Sequence, residues 1–195
     1  MNFLQEIAKL GAEQSATALS TLLKMSVSVN ALKAVPLDRA EVAPPASASD
    51  VDLFVGVYFS LHGDRVGTAV LILSRGDACQ VVDAASRKAL GTTTVMDDYA
   101  RSTVCEVGNI MIGAFLAAVR KLVPLLLVHS VPHLVIDQWR RLFGTLVAGQ
   151  GAPLSLVECE LVVEKMNARC TLVIVADLDE HESAARSAPV ARPRR

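Results

Sequence analysis

Two stretches about 100 residues apart carry the same succession of patterns, and this duplication limits what the chain can build. Residues 3–25 place Leu4, Ile7, Ala8, Leu19 and Leu22 at helical spacing with no intervening proline. Residues 98–120 repeat that signal, with Asp97 or Asp98 available as the N-cap. A β-branched hairpin follows each helix. The first joins 51–60 to 66–74 around Leu61-His62-Gly63-Asp64-Arg65, and the second joins Leu154–Glu164 to Arg169–Asp177 around Lys165-Met166-Asn167. Two copies are too few for a solenoid. They predict an α/β (α+β) fold: a pseudo-twofold duplicated unit with a mixed or antiparallel sheet packed by two long helices.

The connecting segments complete the expected layout. Val27–Leu37 reads as extended, and Ala40–Asp50, rich in Pro, Ala and Ser, as a loop. A helix is expected over 77–90, ended by Gly91, and a strand over Leu125–His129. Val131-Pro132 is expected to open a helix from about His133 to Val147, stopped by Gly149 and Gly151. The tail from Glu182 has no apolar periodicity. These signals predict one domain over 1–178, with halves 1–92 and 95–178, and a disordered tail over 179–195.

Composition narrows the function classes. The chain has 195 residues, 52% of them hydrophobic and 20% charged, enough for a substantial core. A net charge of −1 and a pI near 6.4 supply no field for nucleic acid, and 4% aromatics supply few stacking platforms. The mean hydropathy of +0.40 raises the question of a membrane. The longest apolar runs are broken by Arg120, Lys121 and Pro124 before the roughly 20 residues a span needs, so no membrane insertion is expected. Four cysteines form no C-x-x-C pair, and Met1–Glu6 lacks a basic leader region. A cytoplasmic protein with reduced thiols is the expectation.

The chemistry is concentrated on the second long helix. At 100° per residue, Ser102, Asn109 and Gly113 lie within roughly 60° of Glu106, while Val104, Val107, Met111, Phe115, Ala118 and Val119 lie opposite. A stripe of hydroxyl, carboxylate, amide and bare backbone is usually a solvated face. Here asparagine and glycine sit mid-helix, where glycine costs about 1 kcal/mol against alanine. Removing a side chain at Gly113 would let another molecule approach closely.

The segment Ser102–Gly113, STVCEVGNIMIG, resembles the signature of the CheC/CheX/FliY chemotaxis phosphatases: Asp or Ser, three residues, Glu, two residues, Asn, three residues, Gly. Leu4–Leu23, LQEIAKLGAEQSATALSTLL, is similar to the family's other motif helix, and the likeness covers about residues 1–178. The first helix departs from the pattern: Lys9 stands at the amide position, Glu13 at the glycine and Asn2 at the Asp/Ser position. A lysine offers no acceptor to orient a water. The resemblance therefore implies one active site and one silent half.

That resemblance implies hydrolysis of an aspartyl phosphate on a phosphorylated receiver domain of a response regulator. Asn109 would orient the attacking water and Glu106 would pair with the receiver's lysine, as catalytic residues. Ser102 and Gly113 would shape and clear the binding contact. No cofactor of its own is implied, since the receiver supplies Mg²⁺. The alternative is a non-catalytic adaptor binding a receiver or a CheD-like deamidase. A flagellar-switch component is less expected, because no further domain follows 178. Other constellations are weaker. Among His62, His129, His133 and His181 only the 129/133 pair has ligand spacing, and it spans Pro132, so no metal site is expected. Cys105 lacks the C-x5-R loop of a thiol phosphatase, and GDRVG, Gly63–Gly67, is a turn without a following helix.

Overall fold

A computed structural model describes residues 3–37, 52–122, 126–147 and 154–178. The expected loop over 40–50, the tail, Gly149, Gly151 and Asn2 lie outside the described residues. The first half builds α1 (Phe3–Leu23), β1 (Val27–Pro36), β2 (Leu53–Gly63), β3 (Gly67–Ser74) and α2 (Arg75–Ala85). The second builds α3 (Asp98–Leu122), β4 (Leu127–His129), β5 (His133–Gln138), α4 (Trp139–Val147), β6 (Ser155–Val163) and β7 (Ala168–Ala176).

The seven described strands belong to one sheet, ordered β1-β6-β7-β3-β2-β4, with β5 also pairing β2. Every described pairing is antiparallel. The hairpins β2–β3 and β6–β7 meet through β3 and β7 at the centre. Each then takes its outer neighbour from the other half: β1 pairs β6, and β5 pairs β2. Because of this exchange neither half could complete its share of the sheet alone.

Alternation along the strands separates two apolar layers. Val55, Val57, Phe59 and Leu61 of β2 face α1, α2 and α3, together with Val157, Cys159, Leu161 and Val163 of β6. Phe54, Val70, Ile72, Leu156, Val173 and Val175 face the other way, under Trp139, Leu142 and Leu146 of α4. Helices α1 and α3 pack closely. Ser15 Oγ donates to the Met111 carbonyl at 3.0 Å, and a Cβ built on Gly11 would stand 2.3 Å from the Phe115 ring. By length and composition α3, at 25 residues, could cross a bilayer. Its apolar face is instead packed into the core, through Val104, Val107, Met111, Phe115 and Val119.

Two expectations need correction. The stretch from His133 is a strand up to Gln138, and only Trp139–Val147 is helical. The run Leu134-Val135-Ile136 meets the open edge of β2, and tertiary pairing overrides the helical reading. The helix expected over 77–90 spans Arg75–Ala85 instead. It stops because Arg87 turns left-handed (φ 58°) and donates to the Leu22 and Leu23 carbonyls at the end of α1. Gly91, expected as the cap, lies in the following loop. Its N–H donates to the buried Asp83 at 2.8 Å.

Candidate functional site on the second long helix

Helix α3 is started by Asp97, whose Oδ1 accepts from the Ala100 N–H at 2.8 Å. From there the buried and open faces follow the sequence period. Val104, Val107, Gly108, Met111, Ile112, Phe115, Ala118 and Val119 are buried. Ser102 and Glu106 are exposed, and Asn109 and Gly113 are half-buried. The structure therefore brings all four expected residues onto one accessible stripe. Neighbours three or four positions apart on such a stripe have Cβ atoms about 5–6 Å apart.

The far end of the stripe has a neighbour that the sequence did not disclose. His129, on β4, lies beside Gly113, and a Cβ added there would stand 3.7 Å from His129 Nε2. The imidazole stacks edge-on against Phe59, with centroids 5.4 Å apart. Its Nδ1 lies 3.0 Å from the Ser130 carbonyl, which only accepts, so Nδ1–H is the donor and Nε2 is the ring nitrogen turned toward Gly113. Only the pairing of Leu61 with His129 across β2 and β4 puts the ring there, a contact 68 residues apart in sequence. His133 begins the next strand and is exposed.

The equivalent surface on α1 differs in chemistry. Glu6, Lys9 and Glu13 are exposed at the same spacing, giving acid, cation, acid in place of acid, amide, bare backbone. Glu13, Thr17 and Ser20 of α1 line an open hollow with Val27 and Val29 of β1. A cavity of about 610 Å³ lies elsewhere, walled by Phe54, Arg75, Asp77, Trp139, Glu160 and Arg169 among others, with no residue of α3. Thiol chemistry has no support either. Burial pushes the Cys79 and Cys105 thiols up, and those of Cys159 and Cys170 up to about 12, so all four stay protonated near neutrality. Among the described residues no group of three His, Cys, Asp or Glu side chains could hold a metal ion.

A carboxylate and a carboxamide on a convex helix can neither enclose a small molecule nor exclude water around it. They can enter a cleft that another macromolecule supplies, where the partner provides the walls. The stripe thus suits a protein substrate whose reacting group sits in its own concave site.

The sequence and the fold both have relatives among known proteins. No protein-family model matches the chain. The CheY-P phosphatase CheC of Bacillus subtilis is 28% identical over 154 residues, covering 76% of this chain and 69% of that protein. The crystal structure of Thermotoga maritima FliY superposes with a TM-score of 0.65 at 18% identity, covering 88% of this chain and 86% of that one. The CheX–CheY–BeF3–Mg²⁺ complex from Borrelia burgdorferi gives a TM-score of 0.55 at 13% identity, covering 86% and 96%.

Proposed function

We propose that this chain, which shares the fold of FliY and CheX and is similar in sequence to CheC, hydrolyses the aspartyl phosphate of a CheY-like receiver domain in chemotaxis signalling. The single observation that carries this reading is the stripe itself. Glu106 and Asn109 lie together on an open helix face whose other side is committed to the core. Likeness to CheC and to CheX, the latter solved with CheY, supports a cytoplasmic receiver as the partner.

The reaction asks little of this chain beyond placement. Water attacks phosphorus, the bond from phosphorus to the aspartyl oxygen breaks, and the products are inorganic phosphate and a free carboxylate. The receiver's own Mg²⁺ would neutralise charge on the phosphoryl oxygens. The remaining need is a nucleophile held in line, and orientation of that kind is a large part of phosphoryl-transfer catalysis. The Asn109 carboxamide can accept a hydrogen bond from the water through its oxygen and donate to a phosphoryl oxygen through its nitrogen. Glu106, one turn earlier, pairs with the receiver's lysine and fixes the register. Ser102 sits at the near edge of the contact, and Gly113 keeps the far edge clear.

The decisive test is the decay of a phosphorylated receiver with and without the protein. The wild-type chain accelerates decay, and Asn109→Ala loses at least tenfold of that acceleration while still binding a beryllofluoride-loaded receiver. Activity of Asn109→Ala within twofold of wild type removes the amide from the mechanism. Binding by the wild type without any acceleration makes the chain an adaptor.

A further inference from the structure

The stripe does not begin at Ser102. Tyr99 lies seven residues before Glu106, which rotates it to within about 20° of that side chain and places it about 10 Å along the axis. Although large and partly apolar, it is 55% exposed. We propose that Tyr99, braced by Lys88, is the anchor that seats the receiver on α3, a specificity-determining contact rather than a catalytic one. This rests on the reading that a receiver is the partner.

Tyr99 is held ready rather than left free. Its hydroxyl lies 2.9 Å from Ser86 Oγ, and Lys88 Nζ sits 4.6 Å from the ring centroid. A cation over one ring face leaves the other face for a partner. Lys88 in turn belongs to an ordered loop. Its N–H donates to the Asp83 carbonyl at 2.8 Å, and the Asp83 carboxylate holds the N–H groups of Gly91, Thr92 and Thr93. The conformational freedom that an exposed tyrosine would lose on binding is therefore largely removed beforehand.

Tyrosine is one of the side chains enriched at interface hot spots, and the same loop also exposes Leu90 and Val95, 44% and 60% open to solvent. The occupant follows from distance. A small domain of on the order of 100 residues spans about 30 Å. With its phosphorylation site on Glu106 and Asn109, a domain of that size extending toward the start of α3 covers Tyr99, about 10 Å away along the axis.

The experiment uses the full chain and the CheY-type receivers of its own organism, loaded with beryllofluoride and Mg²⁺. Tyr99→Ala raises the receiver Kd, and the KM for dephosphorylation, at least tenfold while kcat stays within threefold. Tyr99→Phe keeps the ring and raises both by less than threefold. Urea unfolding of each variant shows that the fold is retained. A Kd for Tyr99→Ala within twofold of wild type overturns the proposal, whatever the phosphatase result. The converse is separable: a wild-type chain that binds receiver through Tyr99 but does not accelerate decay supports the anchor and overturns the hydrolase reading.

Discussion

Glu106 and Asn109 are one turn apart, yet substituting them should give different phenotypes. Asn109 is assigned to the water, so its loss appears in the rate. Glu106 is assigned to a charge contact with the receiver, one that would form before the reaction and persist through it. Truncating one partner of a desolvated ion pair leaves the other charge buried without a partner, at a cost of about 2–5 kcal/mol. Glu106→Ala is therefore expected to weaken receiver binding at least thirtyfold and to slow turnover as well. Titration calorimetry against the beryllofluoride-loaded receiver gives the first effect and single-turnover decay gives the second. Unchanged affinity and rate would move Glu106 out of the site. Because Glu106 is exposed, the unfolding midpoint of this variant should match wild type.

The elements that hold this helix have their own weak points, and two are testable. The loop between α2 and α3 is tied to Asp83. Burial pushes its carboxyl up, but the Thr93 hydroxyl and the N–H groups of Thr93, Gly91 and Thr92 outweigh that and hold it below the usual carboxylate range. A carboxyl whose folded value is depressed stabilises the fold above its unfolded value, about pH 4, and that stability is lost as pH falls through the folded value. The urea midpoint of the wild type should thus fall steeply below pH 4. Asp83→Asn should start about 1–3 kcal/mol lower at pH 7 and show a shallower acid loss. Equal acid profiles would show that Asp83 does not anchor the loop. At the α1–α3 crossing, an alanine at Gly11 would drive its Cβ into the fully buried Phe115 ring. Overpacking costs about 1–3 kcal/mol, against roughly 1 kcal/mol of helix propensity gained. Gly11→Ala should therefore lower the urea midpoint, and a raised midpoint would refute the crowding. The sequence disclosed α1, α3 and both hairpins because each carries its period and its turn or cap within itself. It concealed β5, which is half-buried along most of its length and has no alternation to read, so only the open edge of β2 decides its state. His129 was hidden for a similar reason, since a strand pairing brings it to Gly113.

At the scale of the whole molecule the question is whether a duplicated fold works once or twice. The sheet treats the halves alike, each lending one strand to the other, and α1 and α3 pack side by side on its face. Symmetry of the scaffold therefore predicts two receivers per chain. Surface chemistry predicts one. Lys9 occupies the amide position with a cation that cannot accept from a water, and the exposed Glu13 puts bulk and negative charge where an incoming phosphoryl group would need clearance. We expect the chemistry to decide. Sedimentation of the chain with excess beryllofluoride-loaded receiver should give one receiver per chain, and Lys9→Ala should leave both the decay rate and the unfolding midpoint unchanged. The double change Lys9→Asn with Glu13→Gly restores acid, amide and bare backbone on α1, and its readout is stoichiometry: a second, weaker receiver if the stripe alone specifies docking. Continued binding of one receiver would place part of the specificity outside the stripe, at Tyr99 and the clamped loop beside α3. A fall in rate for Lys9→Ala, or two receivers on the wild type, would show instead that the first half is active.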